Sequence, residues 1–299
     1  MTPYLDRLAA RSAAVESVLC LGLDPDPAAL PDGFSADVGG IEAFSRLLLE
    51  AALPYAAAVK PNLAFFEAFG SAGLAALERL RAAIPDDVPL VLDGKRGDIG
   101  TTSARQAAGL FDALGADAVT VNPYLGEAAI APLLERADRF AYVLCRTSNA
   151  GAAELQALQV EAHGTPDGTP DGTRQGTHAA PAEPLWARVA RRVTTWGPGG
   201  TVGLVVGATV PADLAAVRDL APGLPFLVPG IGAQGGDLDA VLAHGPATTA
   251  PGGGRPGGGL LVNVSRGIAG AAAGGPGEDP ATRLSRAAHE WSRRLPVLR

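Results

Sequence analysis

The stretch that decides the fold is Leu90-Val-Leu-Asp-Gly-Lys-Arg-Gly-Asp-Ile-Gly-Thr-Thr102. It opens with three apolar residues, passes into charged residues and glycines, and leads into a segment with helical spacing, Ser103–Leu114. A short buried strand followed by a polar loop and a helix is typical of parallel sheets that helices cover on both faces. The same order recurs along the chain, with predicted strands at Val18–Asp24, Ala56–Asn62, Leu90–Lys95, Ala118–Pro123, Ala141–Thr147, Val202–Thr209, Phe226–Ile231 and Leu260–Val264.

The repeated strands and helices predict a (β/α)8 barrel, the TIM-barrel fold, which typically takes about 250 residues. A doubly wound open sheet is the alternative. Apolar residues recur at helical spacing between the strands, for example over Ile41–Leu53 and Gly70–Ala83. The segments 163–181 and 245–259 are rich in Gly, Pro and Thr and cannot bury much apolar surface. We therefore predict a single domain, 1–299, in which both segments are flexible loop insertions.

Composition excludes several classes of protein. The 299 residues are 47% hydrophobic, enough for a sizeable core, and their formal net charge of −7 argues against nucleic-acid binding. No apolar run reaches the roughly 18 residues of a membrane span, and Met1–Arg11 lacks the apolar region of a signal peptide. We therefore expect a cytoplasmic protein. Cys20 and Cys145 lie in apolar runs and are expected to be reduced thiols, with a disulfide as the alternative.

Lysine is almost absent from the sequence. Of the 24 basic residues, only Lys60 and Lys95 are lysines, and the others are arginines. Arginine can supply a positive charge nearly anywhere, but its guanidinium does not give up a proton. The composition therefore singles out two positions at which a compact ammonium that can lose a proton is required.

Charged side chains follow three successive predicted strands. Asp24 ends the first strand, Lys60 the second, and Asp93 and Lys95 the third, while Asp98 follows in the loop. The carboxyl ends of barrel strands meet at one rim, where active sites lie, and residues two apart in a strand share a face. The alternating charges favour a preorganised electrostatic site. The alternative is a structural ion pair, with an aspartate that caps the next helix.

Glycines and an arginine follow the last two predicted strands, in the segments Pro229–Gly236 and Asn263–Gly267. The loops after strands seven and eight are the usual phosphate site of such barrels. Glycines let backbone N–H groups approach an anion, and Arg266 offers a forked donor. The spacing Gly230-x-Gly232-x-x-Gly235 also fits a dinucleotide-binding fingerprint, but the acidic residue expected about 20 residues later is absent.

Several of these segments together resemble orotidine 5′-phosphate decarboxylases. The resemblance is carried by Asp93-x-Lys95-x-x-Asp98, then Ile99-Gly100-x-Thr102, with Lys60 upstream. The segments Leu21–Asp26, Val59–Asn62, Phe65–Glu67 and Thr147–Asn149 resemble the longer-chain bacterial subgroup. Gly94 departs from the family pattern, in which alanine is common at this position, and we expect the glycine to loosen the strand locally.

The resemblance implies a dimeric TIM barrel that needs no metal or organic cofactor. It would convert orotidine 5′-monophosphate into UMP and CO2, the final step of de novo pyrimidine nucleotide biosynthesis. Asp93 would lie against the substrate carboxylate, and Lys95 would stabilise charge at C6 and then protonate that carbon. Lys60 and Asp98 would complete the charge network. In the family, the aspartate matched by Asp98 comes from the partner subunit, and Thr102 would likewise reach across. The other implied contacts are Asp24 with the ribose hydroxyls, Ser148 with the pyrimidine ring, and Gly232, Gln234 and Arg266 at the phosphate.

Three other hypotheses stay open from the sequence. A Mg²⁺-dependent sugar-phosphate decarboxylase or lyase of the same superfamily shares Asp-x-Lys-x-x-Asp, but those relatives place a carboxylate where this chain has Lys60. A nicotinamide-dependent oxidoreductase would use Gly230–Gly235. A catalytically inactive barrel that binds a phosphate ligand would require both rim lysines to be coincidental. The four histidines lack metal-ligand spacing, so no zinc site is expected.

Overall fold

The computed structural model describes residues 2–161, 182–232, 235–274 and 277–298. The barrel strands are β1 (Leu19–Leu23), β2 (Ala58–Pro61), β3 (Val91–Arg96), β4 (Ala118–Val121), β5 (Phe140–Arg146), β6 (Val202–Val206), β7 (Phe226–Val228) and β8 (Leu261–Val264). They pair in parallel in the order β2-β1-β8-β7-β6-β5-β4-β3. Parallel bridges from Val59 to Leu90 and from Asn62 to Asp93 bring the two edges of the sheet together. The sheet is therefore a nearly closed barrel, and the (β/α)8 prediction is confirmed.

Helices surround the strands, as the apolar spacing predicted. The α-helices in the described ranges are α1 (Tyr4–Val15), α2 (Val38–Ala52), α3 (Leu63–Glu67), α4 (Gly70–Ala82), α5 (Gly100–Ala107), α6 (Glu127–Leu134), α7 (Ala153–Gln156), α8 (Leu185–Val193), α9 (Pro211–Leu220), α10 (Leu238–His244), α11 (Arg266–Ala269) and α12 (Pro280–Arg294). None of these helices is long and apolar enough to cross a membrane. A π-helical turn, Ala108–Ala113, extends α5.

Helix α1 closes the base of the barrel. The ring of Tyr4, which is 1% exposed, stacks on Phe140 with 4.9 Å between the centroids. The hydroxyls of Tyr4 and Tyr142 lie 3.1 Å apart, so each buried phenol has a partner. Leu5 and Leu8 of the same helix join this cluster inside the barrel. The amino-terminal end of the lumen is thus filled by side chains, and the polar residues lie at its opposite end.

The two segments predicted to be flexible insertions differ in what can be described. Segment 163–181 lies outside the described residues. Segment 245–259 runs beside α1, where Arg255 pairs with Asp6 at 2.8 Å. The buried Arg218 donates to the carbonyl oxygen of Gly245 at 2.6 Å. These contacts tie part of the segment to the barrel base, and the flexibility of both segments stays a prediction.

The two cysteines are free and buried, which agrees with the prediction of reduced thiols. Burial raises the pKa of the Cys20 thiol to about 12. Burial also raises the pKa of the Cys145 thiol. Neither sulfur is therefore a thiolate at neutral pH, and neither has the character of a catalytic nucleophile.

Candidate active site

The centre of the site is one carboxylate held between two ammonium groups. Lys60 donates from Nζ to Oδ2 of Asp93 at 2.8 Å, and Lys95 donates from Nζ to Oδ1 at 2.7 Å. The Lys60 side chain is 5% exposed, Asp93 is 13% exposed and Lys95 is 48% exposed. Lys60 is therefore the inner cation, and Lys95 faces the mouth of the barrel. We call these three residues the charged array.

A bulge in β3 shapes this array. Leu92 pairs with Val119 of β4, but the next pair joins Arg96 to Val121, so three residues of β3 lie opposite one residue of β4. Lys95 has a φ of 48°, in the left-handed region that residues with side chains seldom adopt. The regular alternation on which the sequence prediction relied is broken here. The bulge, and not strand alternation, turns the lysine back towards the carboxylate.

The charges of the array set its protonation states. Burial raises the pKa of Asp93, but the charges of Lys60 and Lys95 and their hydrogen bonds outweigh it and hold the pKa well below its usual range. Burial lowers the pKa of Lys60, but the charges of Asp93 and Asp24 raise it, and the net shift is upward. Asp93 and Lys60 are therefore both charged at neutral pH, although both lie largely away from water.

A cavity of about 160 Å³ opens beside the array. Its lining includes Asp24, Lys60, Asp93 and Asn263. Oδ1 of Asp24 and Oδ1 of Asn263 are buried and accept no hydrogen bond from any described residue. Two unpartnered acceptors at one cavity indicate a ligand that brings its own donors, such as sugar hydroxyls. Asn263 is not among the site residues predicted from the sequence. The signal was a polar residue in an otherwise apolar strand.

Residues expected at the phosphate line the far side of the same cavity. Gly232 and Arg266 both contribute to its wall, and Arg266 makes no ion pair with another residue in the described ranges. Gly230 has a φ of 101°, and a Cβ at Gly236 would lie 2.6 Å from the Gly230 carbonyl oxygen. Both positions therefore require glycine, because a side chain would prevent this tight turn. A tight glycine turn leaves backbone N–H groups accessible to an anion. Gln234 lies outside the described residues.

Asp98 and Thr102 do not reach the charged array of their own chain. Asp98 is half-buried, and its Oδ1 accepts the N–H of Ile99 at 2.7 Å. It does not cap α5, because Ile99 occupies the N-cap position. Thr102 is exposed on the first turn of α5. Ile99, which lies between them in the sequence, has an apolar side chain that is 68% exposed. On the next loop, which follows β4, Tyr124 and Leu125 are 81% and 57% exposed. This face of the molecule thus carries two predicted site residues beside uncovered apolar groups.

Ser148 follows β5 and is half-buried. It is not the helix cap that the sequence left open, because Asn149 holds the N-cap position of the next turn. A Cβ at Gly207, just after β6, would lie 2.8 Å from the backbone nitrogen of Ser148. The loop is also anchored by Arg146, which donates to Asp213 at 2.7 Å. The position of Ser148 therefore depends on a glycine of the neighbouring strand.

Gly94 is accommodated by its neighbour. A Cβ at this position would lie 2.7 Å from Cδ1 of Leu63, a side chain that is 1% exposed. Leu63 therefore fills the space that an alanine Cβ would occupy, and the local loosening expected from the glycine stays a prediction.

Fold and site together define a (β/α)8 barrel that carries a fixed array of ammonium and carboxylate groups at the carboxyl mouth of its strands. A family model described as "Orotidine 5'-phosphate decarboxylase / HUMPS family" matches residues 17–277. The chain belongs to this family.

Individual relatives agree with the family assignment. The orotidine 5′-phosphate decarboxylase of Thermomicrobium roseum is 46% identical over 243 residues, which cover 81% of this chain and 80% of that protein. The enzyme of the same name from Haloarcula marismortui is 46% identical over 249 residues and covers 82% of each chain. Among solved structures, the OMP decarboxylase of Leishmania donovani superposes with a TM-score of 0.76 at 38% identity. That match covers 98% of this chain and 96% of the other.

Proposed function

We propose that this chain catalyses the decarboxylation of orotidine 5′-monophosphate to UMP and CO2, as the UMP-forming step of pyrimidine biosynthesis. The observation that carries the proposal is the charged array, in which the carboxylate of Asp93 lies between Lys60 and Lys95. The relatives that share most of the chain carry the name of this decarboxylase. A site made only of fixed charges suits a reaction whose main barrier is an unstabilised carbanion.

The array accounts for each step of the reaction. The bond between C6 and the carboxylate carbon breaks, CO2 leaves, and the electron pair stays on C6. Lys95, the more exposed lysine, stabilises that charge and gives a proton from Nζ to C6, which forms the new C–H bond. The neutral amine then regains a proton from water. Asp93 disfavours the substrate carboxylate relative to the transition state, and Lys60 keeps Asp93 ionised.

The remaining predicted residues bind the substrate in this proposal. Asp24 and Asn263 accept hydrogen bonds from the ribose hydroxyls, since both present buried oxygens without partners in the described chain. Arg266 and the backbone at Gly232 bind the phosphate, together with Gln234. Ser148 bonds the pyrimidine ring. Binding energy from the distant phosphate then helps to assemble the site around the reacting carbon.

The proposal includes a homodimer with shared active sites. It is supported by the exposed apolar side chains of Ile99, Tyr124 and Leu125, which a second copy would cover, because adjoining apolar groups on a surface mark interfaces. Asp98 and Thr102 lie on the same side and would enter the partner's site. The free thiols favour a reducing compartment, and the proposed location is the cytoplasm.

One experiment tests the activity and the alternative hypothesis together. Loss of orotidine 5′-monophosphate absorbance is followed in enzyme treated with EDTA, and we expect unchanged turnover. Activity that is lost with EDTA and restored by Mg²⁺ would favour the sugar-phosphate enzyme class. No turnover with or without Mg²⁺ would contradict the proposal.

A second experiment tests the shared site. Lys95→Ala and Asp98→Ala variants are each nearly inactive, but after unfolding and refolding together they should recover about one quarter of wild-type activity, because each hybrid dimer holds one intact site. If the mixture is no more active than its parts, the shared site is excluded.

A further inference from the structure

We propose that Thr120 is the positioning residue of the charged array, and this inference rests on the proposed function. Its hydroxyl oxygen accepts the backbone N–H of Lys95 at 2.9 Å. The same hydroxyl lies 2.9 Å from Oδ1 of Asp93. One buried hydroxyl therefore contacts both the proton donor and the carboxylate that faces the substrate.

The chemistry of the three groups fixes the direction of both bonds. The backbone nitrogen of Lys95 can only donate, so Thr120 must accept from it. The ionised carboxylate of Asp93 can only accept, so the proton of the hydroxyl must point to it. Thr120 satisfies both requirements at once. An oxygen without a proton, or a methyl group, cannot do so.

No other residue of β4 faces the bulge, so no other side chain of that strand can supply the hydroxyl of Thr120. Leu92 pairs with Val119 and Arg96 pairs with Val121. Thr120 is therefore the one residue of β4 that lies opposite the three bulged residues 93–95 of β3. Thr120 is 2% exposed, so bulk water cannot replace its hydroxyl. The N–H that it accepts belongs to the residue with a φ of 48°. The hydroxyl thus holds the backbone conformation from which the Lys95 side chain reaches the carboxylate.

The variant Thr120→Val keeps the shape of the side chain and removes the hydroxyl. It should leave the N–H of Lys95 without a partner and release the array from its alignment. We expect kcat to fall about 10- to 100-fold, since small displacements of reacting groups have effects of this size. KM should change less than about threefold, because Thr120 does not belong to the cavity lining in the described chain.

Two control variants separate positioning from general damage. Thr120→Ser restores the hydroxyl without the methyl group and should recover most of the lost kcat. Thr201→Val makes the same chemical change at the opposite end of the barrel, just before β6. Thr201 is also 2% exposed, and its Oγ1 bonds to no described residue. It should match the wild type in kcat and KM.

Each outcome decides a different claim. If the wild type turns over orotidine 5′-monophosphate and Thr120→Val does so at the same kcat, the role of Thr120 is wrong. Equal losses in Thr120→Val and Thr120→Ser would also overturn it, because the methyl group would then be responsible. If Thr120→Val does not fold, Thr120→Ala supplies the hydroxyl-free variant with the same expectation. A wild type without turnover instead overturns the proposed function.

Discussion

Nζ of Lys60 lies 2.8 Å from Oδ2 of Asp93, and both side chains are largely withdrawn from water. A buried charge is strongly destabilising when its counter-charge is removed. Each residue therefore controls the protonation of the other: the pKa of Asp93 is lowered and the pKa of Lys60 is raised. The stability of this barrel should consequently depend on pH in a definite direction.

Replacing Lys60 with methionine should destabilise the protein by about 3 kcal/mol at pH 7, since it removes one partner of a buried pair. A folded pKa below the unfolded value means that the contribution of Asp93 is present above about pH 5 and is lost as pH falls towards the folded pKa. The difference between wild type and Lys60→Met should therefore shrink below pH 5. Urea unfolding at several pH values measures it.

The exposed pair of Arg79 and Glu42 supplies a control for that experiment. Arg79 donates to Glu42 at 2.6 Å, but its side chain is 55% exposed. Arg79→Met should therefore lower the free energy of unfolding much less than Lys60→Met does, because water already screens the exposed pair. Equal losses in the free energy of unfolding for the two variants would show that burial does not strengthen the pair of Lys60 and Asp93.

Lys95→Ala should lower kcat by at least about 100-fold, because it removes the proposed proton donor. Its thermal stability should stay close to that of the wild type, since the side chain is 48% exposed. Lys95→Arg keeps the positive charge but hardly donates a proton, and it should be nearly as inactive. Turnover and a melting curve for each variant test the role. An active arginine variant would reject Lys95 as the proton donor.

Asn263→Ala should weaken binding of UMP about 3- to 10-fold, the effect of one lost hydrogen bond. Stability should be kept or raised, because the oxygen removed is buried without a described partner. Calorimetric titration with UMP, 2′-deoxy-UMP and 3′-deoxy-UMP makes the test specific. The wild type should discriminate against at least one deoxy form, and the variant should discriminate less, because only Asp24 then accepts from the ribose. Equal weakening for all three nucleotides would exclude a ribose contact.

Gly207→Ala should raise KM for orotidine 5′-monophosphate about 10-fold. The added Cβ would lie 2.8 Å from the backbone nitrogen of Ser148, so the loop that carries this serine must move. Gly109→Ala is the matched control, because a Cβ there meets nothing within 4 Å. If steady-state kinetics show the same KM for both variants, the position of Ser148 does not matter for binding.

The sequence was sufficient for the barrel and for the rim of charged residues. Each predicted strand overlaps an observed one, because continuous apolar runs such as Val202–Val206 are buried on both faces and leave a strong signal. Asp24, Lys60 and Asp93 line one cavity, since the carboxyl ends of parallel strands necessarily meet. These features follow from local patterns that the fold repeats.

Features that depend on packing between distant segments could not be predicted in the same way. The bulge at Lys95 depends on register between β3 and β4, which no local pattern specifies. The unpartnered oxygen of Asn263 became visible only when its surroundings were known. The packing of Leu63 into the Cβ space of Gly94 joins two separate elements. The proposed entry of Asp98 into a partner's site depends on a second copy of the chain.

The aromatic cluster of Tyr4, Phe140 and Tyr142 fills the amino-terminal end of the barrel, and this limits how the protein can be modified. Phe140 and Tyr142 belong to strand β5, but Tyr4, which completes the cluster, lies in α1 before the first strand and is not part of the sheet. Deleting α1, or fusing a bulky tag next to Tyr4, should let water enter the barrel from its amino-terminal end. The charged array at the carboxyl end should stay assembled. Engineers who need a purification handle on this molecule should leave that end untouched.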